Sequence, residues 1–337
     1  MLKAEFDFID LFAGIGGFRI GLESYGGRCV FSSEIDKYAR KTYSENFNET
    51  PAGDIREIES ENIPNHDVLC AGFPCQAFSI SGNQKGFEDT RGTLFYEIAR
   101  IADYHKPKIL FLENVKNLIS HNDGETIKVI KKTLNEIGYN IYYEVINASY
   151  YGIPQSRERV FIIGIRKDLD IDNFSFPDPT MESVAVKDIL QSDKLTEKYV
   201  KDREVKWKDE EKNNQLSMFD KKTTQVTFEP NQIGIVNKGR QGERVYSIDG
   251  HAITLSANGG GLFSKTGGYY VNGKVRKLSP RECARLMGFT DDFKIPVSDN
   301  QAYKQFGNSV VVPVVKMIFA KILETGALNK NKEINCA

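Results

Sequence analysis

The sequence predicts an α/β fold: a doubly wound, mainly parallel sheet with a second, smaller loop-rich β domain. Three observations predict it. In the first half, short apolar runs alternate with helical patterns, at the spacing of crossover units in a parallel sheet. A glycine cluster directly follows the first apolar run. After about Pro179 the alternation stops, and Gly, Thr, Tyr and Val dominate a stretch with little helical periodicity.

The elements follow in order. Phe6–Leu11 reads as a strand, and Gly14-Ile15-Gly16-Gly17 turns the chain into a helix near Phe18–Ser24. Cys29–Ser33, Val68–Ala71, Ile109–Glu113, Ile141–Asn147 and Val160–Arg166 read as further strands. Helical patterns fall at Lys37–Asn46, Leu94–Tyr104 and Glu125–Ile137. Lys201–Lys222 is charged and amide-rich, a solvated connector. Gln232 to Lys277, punctuated by glycines at 259–261 and 267–268, reads as the small β domain. Helix resumes at Pro280–Met287, with proline early after Ser279, and again at Val314–Thr325.

Composition narrows the class. The 337 residues suffice for one large α/β domain and a smaller one. No apolar run approaches the roughly 20 residues that span a bilayer, so no membrane partner is expected. The first residues carry acids where a basic leader would sit. Five scattered cysteines (Cys29, Cys70, Cys75, Cys283, Cys336) without Cys-x-x-Cys argue against disulfides or a metal site and for a reducing cytoplasm. Net charge is −1, yet Asn231 to Arg285 holds nine Lys/Arg against three acids. That local excess suits a polyanion as well as an ordinary solvated surface.

Several residues at strand ends are candidates for chemistry. Glycines after Asp10-Leu11-Phe12-Ala13 let a ligand approach the backbone. Glu34 ends the second strand, where such folds place a carboxylate on ribose hydroxyls. A dinucleotide fingerprint needs a third glycine, and Arg19 stands there. A cofactor without a pyrophosphate, such as adenosylmethionine, fits better. A lone cysteine is usually a buried small hydrophobe, but Cys75 lies in a Pro/Ser/Gly/Gln loop beyond a strand. A thiol there can be a nucleophile if its thiolate is favoured. Glu113 ends a strand as a cap or as a site group. Arg157 and Arg159 precede a strand as surface charges or as partners of an anion.

Together Gly72-Phe73-Pro74-Cys75-Gln76, Glu113-Asn114-Val115, Gln155-x-Arg157-x-Arg159, Phe12-Ala13-Gly14-x-Gly16-Gly17 and Gln305-Phe306-Gly307-Asn308-Ser309-Val310 resemble, in order, the motifs of bacterial cytosine-5 DNA methyltransferases. The likeness covers roughly Phe8 to Val315. It reaches the variable region of the GCGC-specific members at Gly242-Glu243-Arg244 and Lys265 to Tyr269.

The resemblance implies a Rossmann-like methyltransferase fold using S-adenosyl-L-methionine. It implies a methyl transfer to carbon 5 of a cytosine flipped out of a short motif in double-stranded DNA, with GCGC the expected target. Cys75 is the implied nucleophile, Glu113 a contact to the base, and Arg159 and Arg157 an electrostatic shell. The implied cofactor positions are Phe12, Gly14, Ile15, Gly16, Gly17, Glu34, Ile35, Asp54, Ile55, Gly72, Pro74, Leu94, Asn308 and Ser309. Ile35 departs from the tryptophan of the GCGC-specific members, which weakens the expected stacking on adenine. Implied DNA contacts are Ser81, Lys238, Arg240, Gln241, Arg244, Thr254 and Gly261, with Gln241 filling the space of the flipped base. Arg240, Asn237 and Asn258 depart from those members, which bears on the target motif.

The implied domains are residues 1–186 for catalysis and cofactor, completed by 305–337. Residues 187–279 form the target-recognition domain, and 280–304 a hinge. A cytoplasmic monomer is expected, paired with a restriction endonuclease at the same site without a stable complex. A transfer-RNA cytosine methyltransferase, a silent DNA-binding paralogue and a dinucleotide oxidoreductase are the competing readings. The first meets a variable region of DNA-enzyme type, the second intact motifs, and the third Arg19.

Overall fold

The computed structural model describes residues 5–74, 94–182, 184–208 and 228–329. The chain forms two compact units: Met1–Ile146, Glu158–Asp178 and Val314–Ala337 in the first, Asn147–Arg157 and Pro179–Pro313 in the second. The limits expected at residues 186, 279 and 304 therefore shift. Backbone bonding gives the reason. Ser156 N–H donates to the Ala252 carbonyl and Ala252 N–H to that of Pro154, while Val312 N–H donates to Met287.

In the first unit, strands β1 (Phe6–Leu11), β2 (Gly27–Ser33), β3 (Val68–Gly72), β4 (Ile109–Val115), β5 (Tyr139–Asn147) and β6 (Glu158–Arg166) form one sheet. Its order is β2-β1-β3-β4-β6-β5. β1, β2, β3 and β4 run parallel, and β6 lies antiparallel to β4. Helices α1 (Gly17–Glu23), α2 (Lys37–Phe47), α3 (Leu94–His105) and α4 (Glu125–Glu136) alternate with the strands. Val68–Ala71 of β3 and Ile109–Leu112 of β4 are apolar and buried, as expected of strands covered on both faces. Each buried Leu or Ile contributes about 1.5–3 kcal/mol relative to exposure.

In the second unit a smaller sheet has the order β11-β10-β9-β8-β7. Its strands are β7 (Lys206–Trp207), β8 (Gln232–Ile235), β9 (Arg244–Ser247), β10 (Gly268–Val271) and β11 (Lys274–Arg276). Val236, Val245, Phe263 and Val275 make its small core. Helices α5 (Asp193–Thr196), α6 (Pro280–Leu286) and α7 (Asp299–Asn308) follow the same chain order. Ser279 caps α6 with Glu282 in a reciprocal box. The buried Glu282 carboxylate also receives Arg276, with both bonds at 2.8 Å.

The final helix α8 (Val312–Glu324) carries its residues from Val314 onward into the first unit. There Phe319 packs against Phe6, Tyr25 and Phe111 at 5.1, 5.8 and 6.4 Å between ring centroids. Asp299–Glu324 is long and apolar enough by composition to cross a membrane, with 67% of its apolar window buried. Ser309, at ψ 159°, breaks it into α7 and α8.

Candidate active site

The loop after β1 is set by backbone conformation. Phe12, Gly14 and Gly16 all have positive φ (56°, 57° and 85°). For Phe12 this is a strained choice. Such alternation turns successive N–H groups toward one side. Gly14 N–H donates to Glu34 Oε2 at 2.8 Å, and Asp36 N–H to Oε1 at 2.7 Å. Glu34 thus ties the loop to the end of β2, and burial pushes its carboxyl up. A Cβ on Gly16 would lie 2.3 Å from Phe47, so only glycine fits. Gly17 opens α1.

The remaining cofactor candidates of the first unit divide by exposure. Ile35, beside the half-buried Glu34, is 67% exposed, a bare apolar face. Pro74 is exposed and Leu94 half-buried at the start of α3. Ile15 and Ile55 are buried, and Ile55 belongs to the packed core. Asp54 pairs with Arg56, which holds its carboxyl below the usual range. Beneath the loop, burial pushes Asp10 up to about 8 against the attraction of Arg19. Arg19 itself bonds Glu23, Glu49 and Tyr43 at 2.7, 2.7 and 3.1 Å.

Glu113 lies at the carboxyl end of β4, in register with Gly72 on β3. Its Oε2 sits 3.7 Å from where a Cβ on Gly72 would be, so the carboxylate lies over the glycine. Arg159 pairs with Val115 in the β4–β6 register, while Phe161 pairs with Glu113. Arg159 and Glu113 are therefore diagonal neighbours on one face, and Arg159 Nε reaches Glu113 Oε1 at 3.1 Å. The next residue, Asn114, was not among the sequence candidates. Its Nδ2 donates to the Phe73 carbonyl at 2.8 Å, and its Oδ1 accepts from Val115 N–H. Asn114 so holds the Phe73–Pro74 segment that leads to Cys75. The asparagine inside Glu-Asn-Val was the available signal.

Cys75 and Ser81 lie outside the described residues. The described cysteines are free thiols, Cys29 partly buried and Cys70 and Cys283 buried. Burial pushes Cys29 up to about 12 and the other two well above the ordinary thiol value. None is poised as a thiolate.

The second unit holds the other candidates. Lys238, Arg240, Gln241 and Arg244 are exposed, around a short turn fixed by Glu243 accepting from Arg240 N–H at 3.0 Å. This turn and the glycines at 259–261 line one cleft of about 400 Å³ with Thr254 and Lys265. Phe263 N–H donates to the Gly242 carbonyl, and a Cβ on Gly261 would lie 2.9 Å from that oxygen. The Thr254 hydroxyl donates to the Ser156 carbonyl. Asn308 ends α7 and Ser309 follows.

Arg157 is placed differently from the expected electrostatic shell. It is 1% exposed. Its guanidinium donates to the carbonyls of Leu255, Gly307 and Ser309 at 3.1, 3.0 and 2.7 Å. Those bonds make it a residue that positions backbone, not one that meets an anion. Gln155, also buried, bridges Leu255 N–H and the Leu286 carbonyl.

A mixed sheet with a glycine loop after β1 and an arginine-paired carboxylate at the end of β4, with Phe73-Pro74-Cys75 following β3 in sequence, suits a group-transfer enzyme of the methyltransferase class. The family model of C-5 cytosine-specific DNA methylases matches residues 6–324. The chain belongs to that family, and it is a DNA (cytosine-5)-methyltransferase. It is 56% identical over 311 residues to the Type II methyltransferase M.HhaI of Haemophilus parahaemolyticus, covering 92% of each chain. It is 45% identical to the Type II methyltransferase M.HpaII of Haemophilus parainfluenzae, covering 96% of this chain and 90% of the other. Among solved structures, the S. pombe Dnmt2 methyltransferase shares the fold at TM-score 0.67 and 18% identity, covering 95% of this chain and 98% of that one.

Proposed function

We propose that this enzyme methylates carbon 5 of a cytosine flipped out of a short duplex motif, GCGC, using S-adenosyl-L-methionine and Cys75 as nucleophile. The observation that carries the reading is the Glu113–Arg159 pair over Gly72, at the strand ends that also lead to Cys75. Ligands bind outside such carboxyl ends.

The residues fit an adenosine-bearing cofactor. The left-handed turn at Phe12, Gly14 and Gly16 exposes backbone for close approach. Glu34 offers a carboxylate to the ribose hydroxyls, Ile35 an apolar face to the adenine, and Asp54 an acceptor to its amino group. When bound, this group supplies an electrophilic methyl on a sulfonium centre. Carbon 5 of cytosine is a poor nucleophile. Addition of the Cys75 thiolate to carbon 6 makes an enamine whose carbon 5 takes the methyl. Loss of the carbon-5 proton and of the thiolate restores the ring. Glu113 contacts ring nitrogen 3 and the amino group, and Arg159 holds the oxygen on carbon 2 as negative charge develops.

The cytosine is reached only by flipping, at a few kcal/mol. Gln241 fills the vacated space. Lys238, Arg240, Arg244 and the glycine loop at 259–261 meet the duplex, where the major groove gives each base pair a distinct pattern. The enzyme acts as a cytoplasmic monomer within a Type II restriction-modification pair.

Bisulfite sequencing of plasmid DNA from a methylation-deficient host expressing the chain tests this, with Cys75→Ala alongside. Methylcytosine confined to GCGC and absent in the variant is the expected result. Another motif overturns the target alone. Methylation persisting in Cys75→Ala overturns the nucleophile.

A further inference from the structure

We propose that Asn258 is a site of spontaneous self-modification: its side-chain amide closes onto the Gly259 backbone nitrogen, and the product carries a negative charge into the cleft assigned to DNA. The consequence for DNA rests on the proposed function; the chemistry does not.

The sequence holds two Asn-Gly pairs, Asn258-Gly259 and Asn272-Gly273. Asparagine is the thermolabile partner, and glycine has no side chain to shield its nitrogen. The reaction balances with water alone. The Gly259 nitrogen gives up its proton and attacks Cγ of Asn258. The N–Cγ bond forms, the Cγ–Nδ2 bond breaks, and ammonia leaves a five-membered succinimide. Water then adds to either ring carbonyl and opens the ring to aspartate or to isoaspartate, whose main chain runs through Cβ.

The fold treats the two pairs differently. Asn258, Gly259 and Gly260 are exposed. Among the described residues, the one hydrogen bond to Asn258 falls on its backbone, where Ser256 Oγ donates to the carbonyl at 2.6 Å. The side-chain amide is left free. That carbonyl belongs to the Asn258–Gly259 peptide, so the hydroxyl stabilises the anion formed when Gly259 loses its proton. The ring has room: a Cβ on Gly259 would meet nothing nearer than 3.5 Å, and one on Gly260 nothing within 4 Å. Asn272 and Gly273 instead make the two-residue turn between β10 and β11, with φ of 48° and 82° and Val271 paired to Lys274. Asn272 Nδ2 also donates to Asp193 Oδ2 at 2.9 Å. The paired turn and the tied amide must both loosen before Cγ can reach the Gly273 nitrogen.

Asn258 lines the cleft of about 400 Å³ together with Arg240, Gln241 and Lys265. A carboxylate there offsets the cations assigned to the duplex and repels the polyanion itself. Isoaspartate also lengthens the main chain of a loop that is tightly packed at Gly261, where a Cβ would lie 2.9 Å from the Gly242 carbonyl oxygen.

The test incubates the full chain in mildly alkaline buffer, digests it with pepsin in acid and maps the peptides by mass spectrometry, with a guanidinium-denatured sample alongside. Folded protein is expected to convert Asn258 and spare Asn272, while the denatured chain converts both. Equal conversion of the two pairs in folded protein, or none at Asn258, overturns the site. Conversion slows in Ser256→Ala, and an unchanged rate overturns the part given to its hydroxyl. Binding to a duplex carrying the motif returned by the methylation map is measured before and after incubation. Aged wild type and fresh Asn258→Asp are expected to bind about tenfold more weakly than fresh wild type, a gap that narrows as salt rises. Asn258→Gln should lose nothing on incubation. An equal loss in Asn258→Gln, or converted wild type that binds as tightly as fresh, overturns the consequence for DNA. Fresh wild type that binds no duplex overturns that consequence together with the proposed function, while the peptide map still decides the chemistry.

Discussion

Asn114→Ala is the substitution that most directly tests how the nucleophile's loop is held. The side chain is 2% exposed, and its amide donates to the Phe73 carbonyl at 2.8 Å. Removing it leaves that buried acceptor unpaired, at about 1–3 kcal/mol. Val115 N–H, on a partly exposed residue, can be rehydrated and adds little. If the loss falls on the segment Phe73–Pro74, the barrier to thiolate addition rises by the same amount. At 1.36 kcal/mol per decade, kcat falls by about 5- to 150-fold. Steady-state transfer of tritiated methyl groups to duplex DNA measures it, with thermal melting run in parallel. A kcat within twofold of wild type and an unchanged melting temperature would refute the reasoning.

Three further outcomes are expected. Burial pushes His66 down to about 4, so the unfolded chain binds its proton first. Stability is complete above about pH 6.5 and falls by about 2 kcal/mol by pH 5; urea midpoints at pH 7 and 5 should differ less in His66→Gln, and an equal difference rejects this. Asp10, raised to about 8, stays protonated when folded while its unfolded form ionises near pH 4. Stability therefore declines as pH rises toward 8, and Asp10→Asn should flatten that decline in melts from pH 6 to 9; an unaltered slope counts against it. Gly16→Ala adds a Cβ 2.3 Å from Phe47 at a φ of 85°, which should destabilise by about 2 kcal/mol or more, and an unchanged denaturation midpoint would contradict that packing.

Much of the first sheet was legible because its signals are local. β1 begins and ends where the apolar run Phe6–Leu11 predicts, and α1 starts within a residue of the expected turn. Strand direction was less accessible: an apolar run such as Val160–Ile165 is the same read either way, and β6 proves antiparallel to β4. α7 escaped because Asp299–Asn308 is polar along most of its length, with Ala302, Tyr303 and Phe306 its buried hydrophobics. Arg157 misled for a different reason. An arginine two residues from Arg159 reads as a second charge at one site, and nothing local reveals that distant carbonyls at Leu255, Gly307 and Ser309 occupy it. Gly307 stood in the sequence only as one letter of Gln305-Phe306-Gly307-Asn308-Ser309-Val310; its close contact with Ser256–Ala257 is a long-range fact.

The return of α8 to the first unit has a consequence for how the chain is made. Phe6 is synthesised long before Phe319, the ring that packs against it. At about 5–20 residues per second, the opening strand waits on the order of 15–60 s for its partner. Throughout that interval the nascent sheet lacks the helix that packs against Phe6 and Phe111, and exposed apolar surface of that kind is aggregation-prone. Truncations near the C-terminus should therefore reveal themselves first as insoluble expression, before any loss of catalysis could be measured.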